Sequence, residues 1–210
     1  MALIGSKKTQ NQMLDILVKA THFNRNEIEA LLLMFKKTLR PKTDRLDRSK
    51  FRDVLHNTFD MTDDMLMDRV FRVFDKDNDG LISAEEWVTG LSVFLRGTLQ
   101  QRIDYCFAVY DFNGDRSLAR DEVYHLLKNS VMKNPQEEDP EEGVRDLIDL
   151  VMKKLDVNHD GFVSFEDYEA TVKMEPLLLE VFGPCLPQQE SLETFLTTFV
   201  EPKRTPGYEG

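Results

Sequence analysis

The segment Asp75-Lys76-Asp77-Asn78-Asp79-Gly80-Leu81-Ile82-Ser83-Ala84-Glu85-Glu86 constrains the fold more than any other part of the chain. Oxygen-bearing side chains stand at its first, third, fifth and ninth positions, with glycine at the sixth and glutamate at the twelfth. A large, hard divalent cation such as Ca²⁺ takes about six to eight oxygens in a flexible shell. Asp75, Asp77 and Asp79 each offer a carboxylate, and Leu81 offers its main-chain carbonyl. Ser83 contributes directly or through a water, and Glu86 reaches in with both oxygens. Gly80 permits the positive φ that the sharp turn demands. Ile82 supplies the apolar residue of a short strand between paired loops. An acidic surface turn has no reason to meet all of these requirements at once.

The pattern recurs, and the repeat is that of the EF-hand, a helix–loop–helix calcium site. A second loop runs from Asp111 to Glu122, with Asp111, Asn113, Asp115, the Ser117 carbonyl and Glu122 as expected ligands. A third runs from Asp156 to Asp167, with Asp156, Asn158, Asp160, the Phe162 carbonyl and Asp167. Each loop follows an apolar helix end: Phe71 and Phe74, Phe107 and Tyr110, Met152 and Leu155. Trp87, Val123 and Tyr168 open the exiting helices at matching positions. An earlier stretch keeps the frame without the ligands. Asn24 and Glu27 make a capping pair, Leu46 aligns with Ile82 and Phe51 with Trp87. Leu39, Pro41 and Lys50 occupy the first, third and twelfth positions there, so it reads as a hand that lost its metal and kept its packing role. An unrelated helix–loop–helix is the competing reading of that stretch.

The fold expected is all-α, with four EF-hands in two paired lobes and extra N- and C-terminal helices. Residues 1–97 form the first lobe: a helix from about Lys8 to Ala20, the degenerate hand 24–60 and the hand 62–96. Residues 98–175 form the second, with hands 98–133 and 144–174 joined by an acidic, proline-containing connection over Asn134–Gly143. Residues 176–210 form a tail. Its final helix is capped by Ser191 and carries the apolar stripe Leu192, Phe195, Leu196 and Phe199. A helix this short is marginal alone in water. It either packs on the C-terminal lobe or sits in a partner groove until a target displaces it.

The three intact loops are unequal. The 75–86 loop breaks no rule and is expected to bind best. The 111–122 loop has Arg116 where glycine is usual, at a steric cost of roughly 1–2 kcal/mol, and Ala119 at the ninth position leaves a place for water. The 156–167 loop ends in Asp167, one methylene shorter than glutamate, which favours six-coordination and Mg²⁺ at rest.

Net charge is −11, much of it in loops that cations would neutralise, which argues against a nucleic-acid binder. The basic cluster Arg40, Lys42, Arg45, Arg48, Lys50 and Arg52 either grips an acidic partner or forms an exposed face. Two cysteines, Cys106 and Cys185, make no disulfide framework and fit a reduced, cytoplasmic protein. There is no apolar run of about 18 residues, the opening residues are not a secretory signal, and Ala2 excludes myristoylation as a membrane anchor. The four histidines form no zinc or acid–base spacing, and no phosphate loop or nucleophile motif occurs, so an enzyme is not expected. Nine methionines and fourteen phenylalanines, with Met61, Met65 and Met67 before the 75–86 loop, suit a groove that opens on calcium binding. Unequal loops, a silent hand and an apolar tail point to a regulator more than to a buffer.

Three further stretches carry a narrower resemblance: Phe59–Arg72 running into Phe74–Gly80, Gly90–Gly97, and Leu177–Pro187. They are similar to the calaxins, calcium sensors of cilia and flagella related to the neuronal calcium sensors. The resemblance implies binding to outer-arm dynein on axonemal doublet microtubules, in contact with dynein chains and tubulin, and calcium-dependent control of dynein-driven sliding, ciliary waveform and sperm motility. A neuronal-sensor-like protein and a calcineurin B-like regulatory subunit are the alternatives.

Overall fold

The computed structural model describes residues 2–131 and 140–199. It is mostly helical, with EF-hands in two lobes. In the first lobe α1 (Ala2–Ala20) leads to α2 (Arg25–Thr38), β1 (Leu46–Asp47), α3 (Arg48–Phe59), α4 (Asp64–Phe74), β2 (Leu81–Ile82) and α5 (Ala84–Arg96). The second holds α6 (Leu99–Tyr110), β3 (Ser117–Ala119), α7 (Arg120–Val131), α8 (Pro140–Leu155), β4 (Phe162–Ser164) and α9 (Phe165–Met174). A 3₁₀ turn (Pro176–Glu180) and α10 (Gln189–Thr197) follow.

Local chemistry sets the helix starts. Asn24, Ser83, Thr98 and Ser164 each form a reciprocal capping box with the residue three further on. Such a cap is worth about 1 kcal/mol. The strands are two or three residues long and join loops in pairs. Leu46 faces Ile82 in one antiparallel pair, and Leu118 faces Val163 in the other. The loop without ligands thus supplies the strand opposite the loop richest in them.

Aromatic packing fills the first lobe. The Phe51 ring lies 5.7 Å from Phe71, 4.9 Å from Phe74 and 6.3 Å from Trp87. The Trp87 indole N–H donates to the Leu31 carbonyl at 3.2 Å, tying α5 to the silent hand. Gly90 lets α5 approach α4: a Cβ there would lie 2.4 Å from the Phe74 ring. Gly90→Ala is expected to cost about 1–3 kcal/mol by overpacking, measured by chemical denaturation. In the second lobe Phe107 meets Phe165 at 5.3 Å and Tyr168 at 5.5 Å.

The lobes are packed together, with Arg69 at the joint. From α4 its guanidinium donates to the carbonyls of Val109 at 2.9 Å, Ala108 at 3.3 Å and Phe112 at 3.3 Å, and to that of Asp111. These carbonyls end α6 and open the next loop, where helix geometry leaves them without partners. The Phe112 ring lies 5.1 Å below the guanidinium. Burial is the main cause that lowers the Arg69 pKa from its ordinary value.

Several expectations are corrected. The first helix starts at Ala2 rather than near Lys8. The acidic connection falls partly outside the described residues, and Pro140 to Gly143 belong to the first turn of α8, where proline suits the N-terminal position. Met61 lies before α4 rather than on it, and Met61 and Met67 are buried in the core of the first lobe. Ser191 does not cap the last helix. It sits inside α10, buried, and its hydroxyl donates to Asp60 Oδ2 at 3.0 Å. That helix packs on the first lobe rather than the second. Phe195 meets Phe59 at 5.2 Å, and Phe199 meets Phe23 at 5.9 Å. Phe199 stands in the turn just after the helix, and its ring lies 5.5 Å from that of Phe195.

The tail returns past the second lobe to get there. Tyr105 and Tyr110 donate from α6 to the carbonyls of Cys185 at 3.2 Å and Gly183 at 2.6 Å. Cys185 brings its Sγ within 3.3 Å of Cys106 Sγ, both as buried free thiols. Burial pushes the Cys106 thiol well above its ordinary pKa.

Candidate metal sites

Each twelve-residue loop folds around its own first acid. In the 75–86 loop Asp75 accepts from the amides of Asp79 at 3.1 Å and Gly80 at 2.9 Å. Asp77 accepts from the Asp79 amide, and Asp79 from the Leu81 amide at 2.9 Å. The 156–167 loop repeats this, with Asp156 accepting from Asp160 and Gly161. In the 111–122 loop Asp111 accepts from Gly114 at 2.7 Å and Arg116 at 2.9 Å. The turn needs positive φ at the fourth and sixth positions. Asn78, Gly114 and His159 take it at the fourth (56°, 76° and 61°), and Gly80, Arg116 and Gly161 at the sixth (82°, 66° and 90°). Lys42 holds φ 69° in the silent loop, so the bend outlived the ligands.

Arg116 therefore adopts the left-handed backbone that its place demands. Its charge does not lie over the carboxylates. The guanidinium sits 4.6 Å over the Phe165 ring and 3.8 Å from Glu166, at the start of α9, and the Arg116 carbonyl accepts from the Phe165 amide. The two loops of the second lobe are clasped there.

The twelfth residues differ in reach. Glu86 accepts from the Lys76 amide at 2.8 Å and the Asp77 amide at 3.3 Å with one oxygen, and from the Ser83 amide and hydroxyl with the other. Burial raises its pKa, but the hydrogen bonds from Ser83, Asp77 and Lys76 outweigh burial and hold the carboxyl below its ordinary value. Glu122 spans its loop likewise, from the Phe112 amide at 3.1 Å to the Ala119 amide at 3.0 Å. Asp167 bonds only Ser164 among the described residues. The missing methylene shortens it.

Carboxylate oxygens of Asp75, Asp77 and Glu86 lie within 4.8 Å of one another. Asp75 and Glu86 are only 5 % and 8 % exposed. Three anionic groups so close, two of them buried, match the donor set a divalent cation requires. Among the described residues no other loop gathers three carboxylates as tightly. Asp79 stays outside that trio and pairs instead with Arg45, whose reach across the lobe no local sequence pattern announces. The role of Arg69 is equally absent from the sequence pattern: its partners lie some forty positions away. Four others of the basic cluster turn to neighbours, Arg40 to Asp47, Lys50 to Asp53, Arg48 to Asp68, and Arg52 to Asp64 and Asp68.

Paired helix–loop–helix units with convergent loop carboxylates define a calcium-binding protein of the EF-hand class. The EF-hand domain pair family matches residues 100–173, and the EF hand domain family matches residues 66–94. Whole-chain comparison is narrower. Calaxin of Bos taurus is 52 % identical over 197 residues, covering 90 % of this chain and 93 % of the relative. Calaxin of Xenopus laevis is 52 % identical over 191 residues, covering 89 % and 91 %. Calcineurin B of Candida glabrata is 27 % identical over 164 residues, covering 78 % and 89 %. The chain belongs to the calaxin family, and it is a calcium sensor. No described helix is long and apolar enough to cross a membrane.

Proposed function

We propose that this sensor binds outer-arm dynein on the doublet microtubules of cilia and flagella and adjusts dynein-driven sliding, and hence waveform, as calcium rises. The observation that carries this reading is the family membership, with half of all aligned positions shared over nine-tenths of the chain. In this reading Asp75, Asp77, Asp79, the Leu81 carbonyl, Ser83 and Glu86 would hold the first ion. Asp111, Asn113, Asp115, the Ser117 carbonyl and Glu122 would hold the second. Asp156, Asn158, Asp160, the Phe162 carbonyl and Asp167 would bind calcium weakly or keep Mg²⁺ at rest. Calcium, when bound, would supply the positive charge that balances the carboxylates of these loops.

The test is retention from axonemal extract on the immobilised chain, in calcium and in chelator. Outer-arm dynein chains held more strongly in calcium are expected. Dynein absent from both overturns this reading, and a phosphatase or kinase catalytic chain retained instead supports the second, a regulatory subunit like calcineurin B, to which the chain is 27 % identical over 164 residues.

In this scheme α10 competes with the target for the Phe59 face. Its docking rests on Phe195, Phe199 and the Ser191–Asp60 hydrogen bond. A chain ending at Pro187 is expected to bind dynein about tenfold more tightly in chelator, since a docked tail lowers the binding-competent fraction. Equal affinity of the full and shortened chains removes the tail from the mechanism.

A further inference from the structure

We propose that Arg45, contributed by the hand without ligands, is a built-in counter-cation that weakens calcium binding at the 75–86 loop until the ion displaces it. The proposal rests on the assignment of that loop as a calcium site. Arg45 stands at the seventh position of the silent loop, one residue before Leu46. Leu46 is locked opposite Ile82 by the strand pair, so the main chain beside Arg45 is fixed against the neighbouring loop. Its guanidinium pairs with Asp79 and lies 3.8 Å from Asp77 Oδ2. Two of the carboxylates assigned to the ion are thus met by a positive charge from outside the loop. The tight trio of Asp75, Asp77 and Glu86 forms without Asp79.

Among the described residues ion pairing of ligand carboxylates is confined to this loop; the Arg69 guanidinium beside the 111–122 loop bonds main-chain carbonyls instead. The acidic ligands of the 111–122 and 156–167 loops make no ion pair among the described residues. The other arginines and Lys50 of the basic cluster face carboxylates that are not metal ligands. A guanidinium does not lose its proton in proteins, so the competitor is present at every physiological pH. Arg45 and Asp79 are 38 % and 36 % exposed, and an exposed pair of this kind adds little stability. Its effect falls on the incoming ion. A unit positive charge beside a divalent site, in a solvent-screened setting, is expected to weaken binding about fivefold. The silent hand then does more than fill a core: it sets the threshold of its neighbour.

The experiment uses the full chain with the other two loops silenced by Glu122→Gln and Asp167→Asn. Calcium is titrated by calorimetry and by the fluorescence of Trp87, the only tryptophan, which follows Glu86 directly. Arg45→Gln and Arg45→Met are both expected to bind about fivefold more tightly, and Arg45→Lys to stay near the parent. In an Asp79→Asn background, where the partner charge is gone, the same replacements are expected to gain less, and the Arg45→Gln gain should shrink as KCl rises and screening shortens. Neutral variants with the parent's affinity, or a weaker one, overturn the proposal alone. A parent that binds no calcium at this loop overturns the proposal together with the loop assignment.

Discussion

Glu86→Gln is expected to weaken calcium binding at the 75–86 loop by about a hundredfold. Loss of even a supporting group around a metal ligand costs about 10–100-fold, and here a ligand charge itself is removed. The substitution keeps the volume and one acceptor oxygen. It also turns an NH₂ group toward amide donors, either Lys76 and Asp77 or Ser83, depending on which oxygen is replaced. The metal-free loop should therefore loosen too, by about 1–2 kcal/mol. The two effects separate experimentally: chelator competition reads the first, denaturation in chelator reads the second. The low Glu86 pKa fixes the pH sense. A carboxyl held below its ordinary value stabilises the fold fully above about pH 4.5, and that contribution fades as pH falls through the lowered value. Undiminished calcium affinity in the variant would remove Glu86 from the ligand set.

Arg69→Ala is expected to destabilise the fold by about 2–3 kcal/mol. The guanidinium serves carbonyls at Ala108, Val109, Asp111 and Phe112. Arg69→Lys should recover only part, because an ammonium cannot span a fan of acceptors as a planar fork does. Two of these carbonyls belong to the first residues of the 111–122 loop, so the same substitution should loosen that loop as well. A variant as stable as the parent would show that water caps the end of α6 equally well.

The loops were legible in the sequence because each ligand set lies within twelve consecutive residues, where chain geometry alone brings the groups together. The silent hand was legible for a related reason: Leu46 and Phe51 kept the register after Leu39, Pro41 and Lys50 replaced the acids. The seat of α10 was not. Its apolar stripe says that it must dock, but both lobes offer apolar surface, and the choice falls to Phe59, Phe23 and Asp60, all far upstream. Arg116 shows an intermediate case. Its strained backbone was readable from its position, while the direction of its side chain depended on Phe165 in another hand.

The seat of α10 also bears on how the chain is made. Ser191 and Asp60 are 131 positions apart. On a ribosome the first lobe emerges well before the helix that covers Phe59, which follows it by more than a hundred residues. During that interval the lobe presents an uncovered aromatic face, the kind of surface that invites misassembly before a distant segment arrives. A nascent chain stalled before residue 188 should be a better chaperone client than one extended well past α10, because the arrival of that helix is what closes the first lobe.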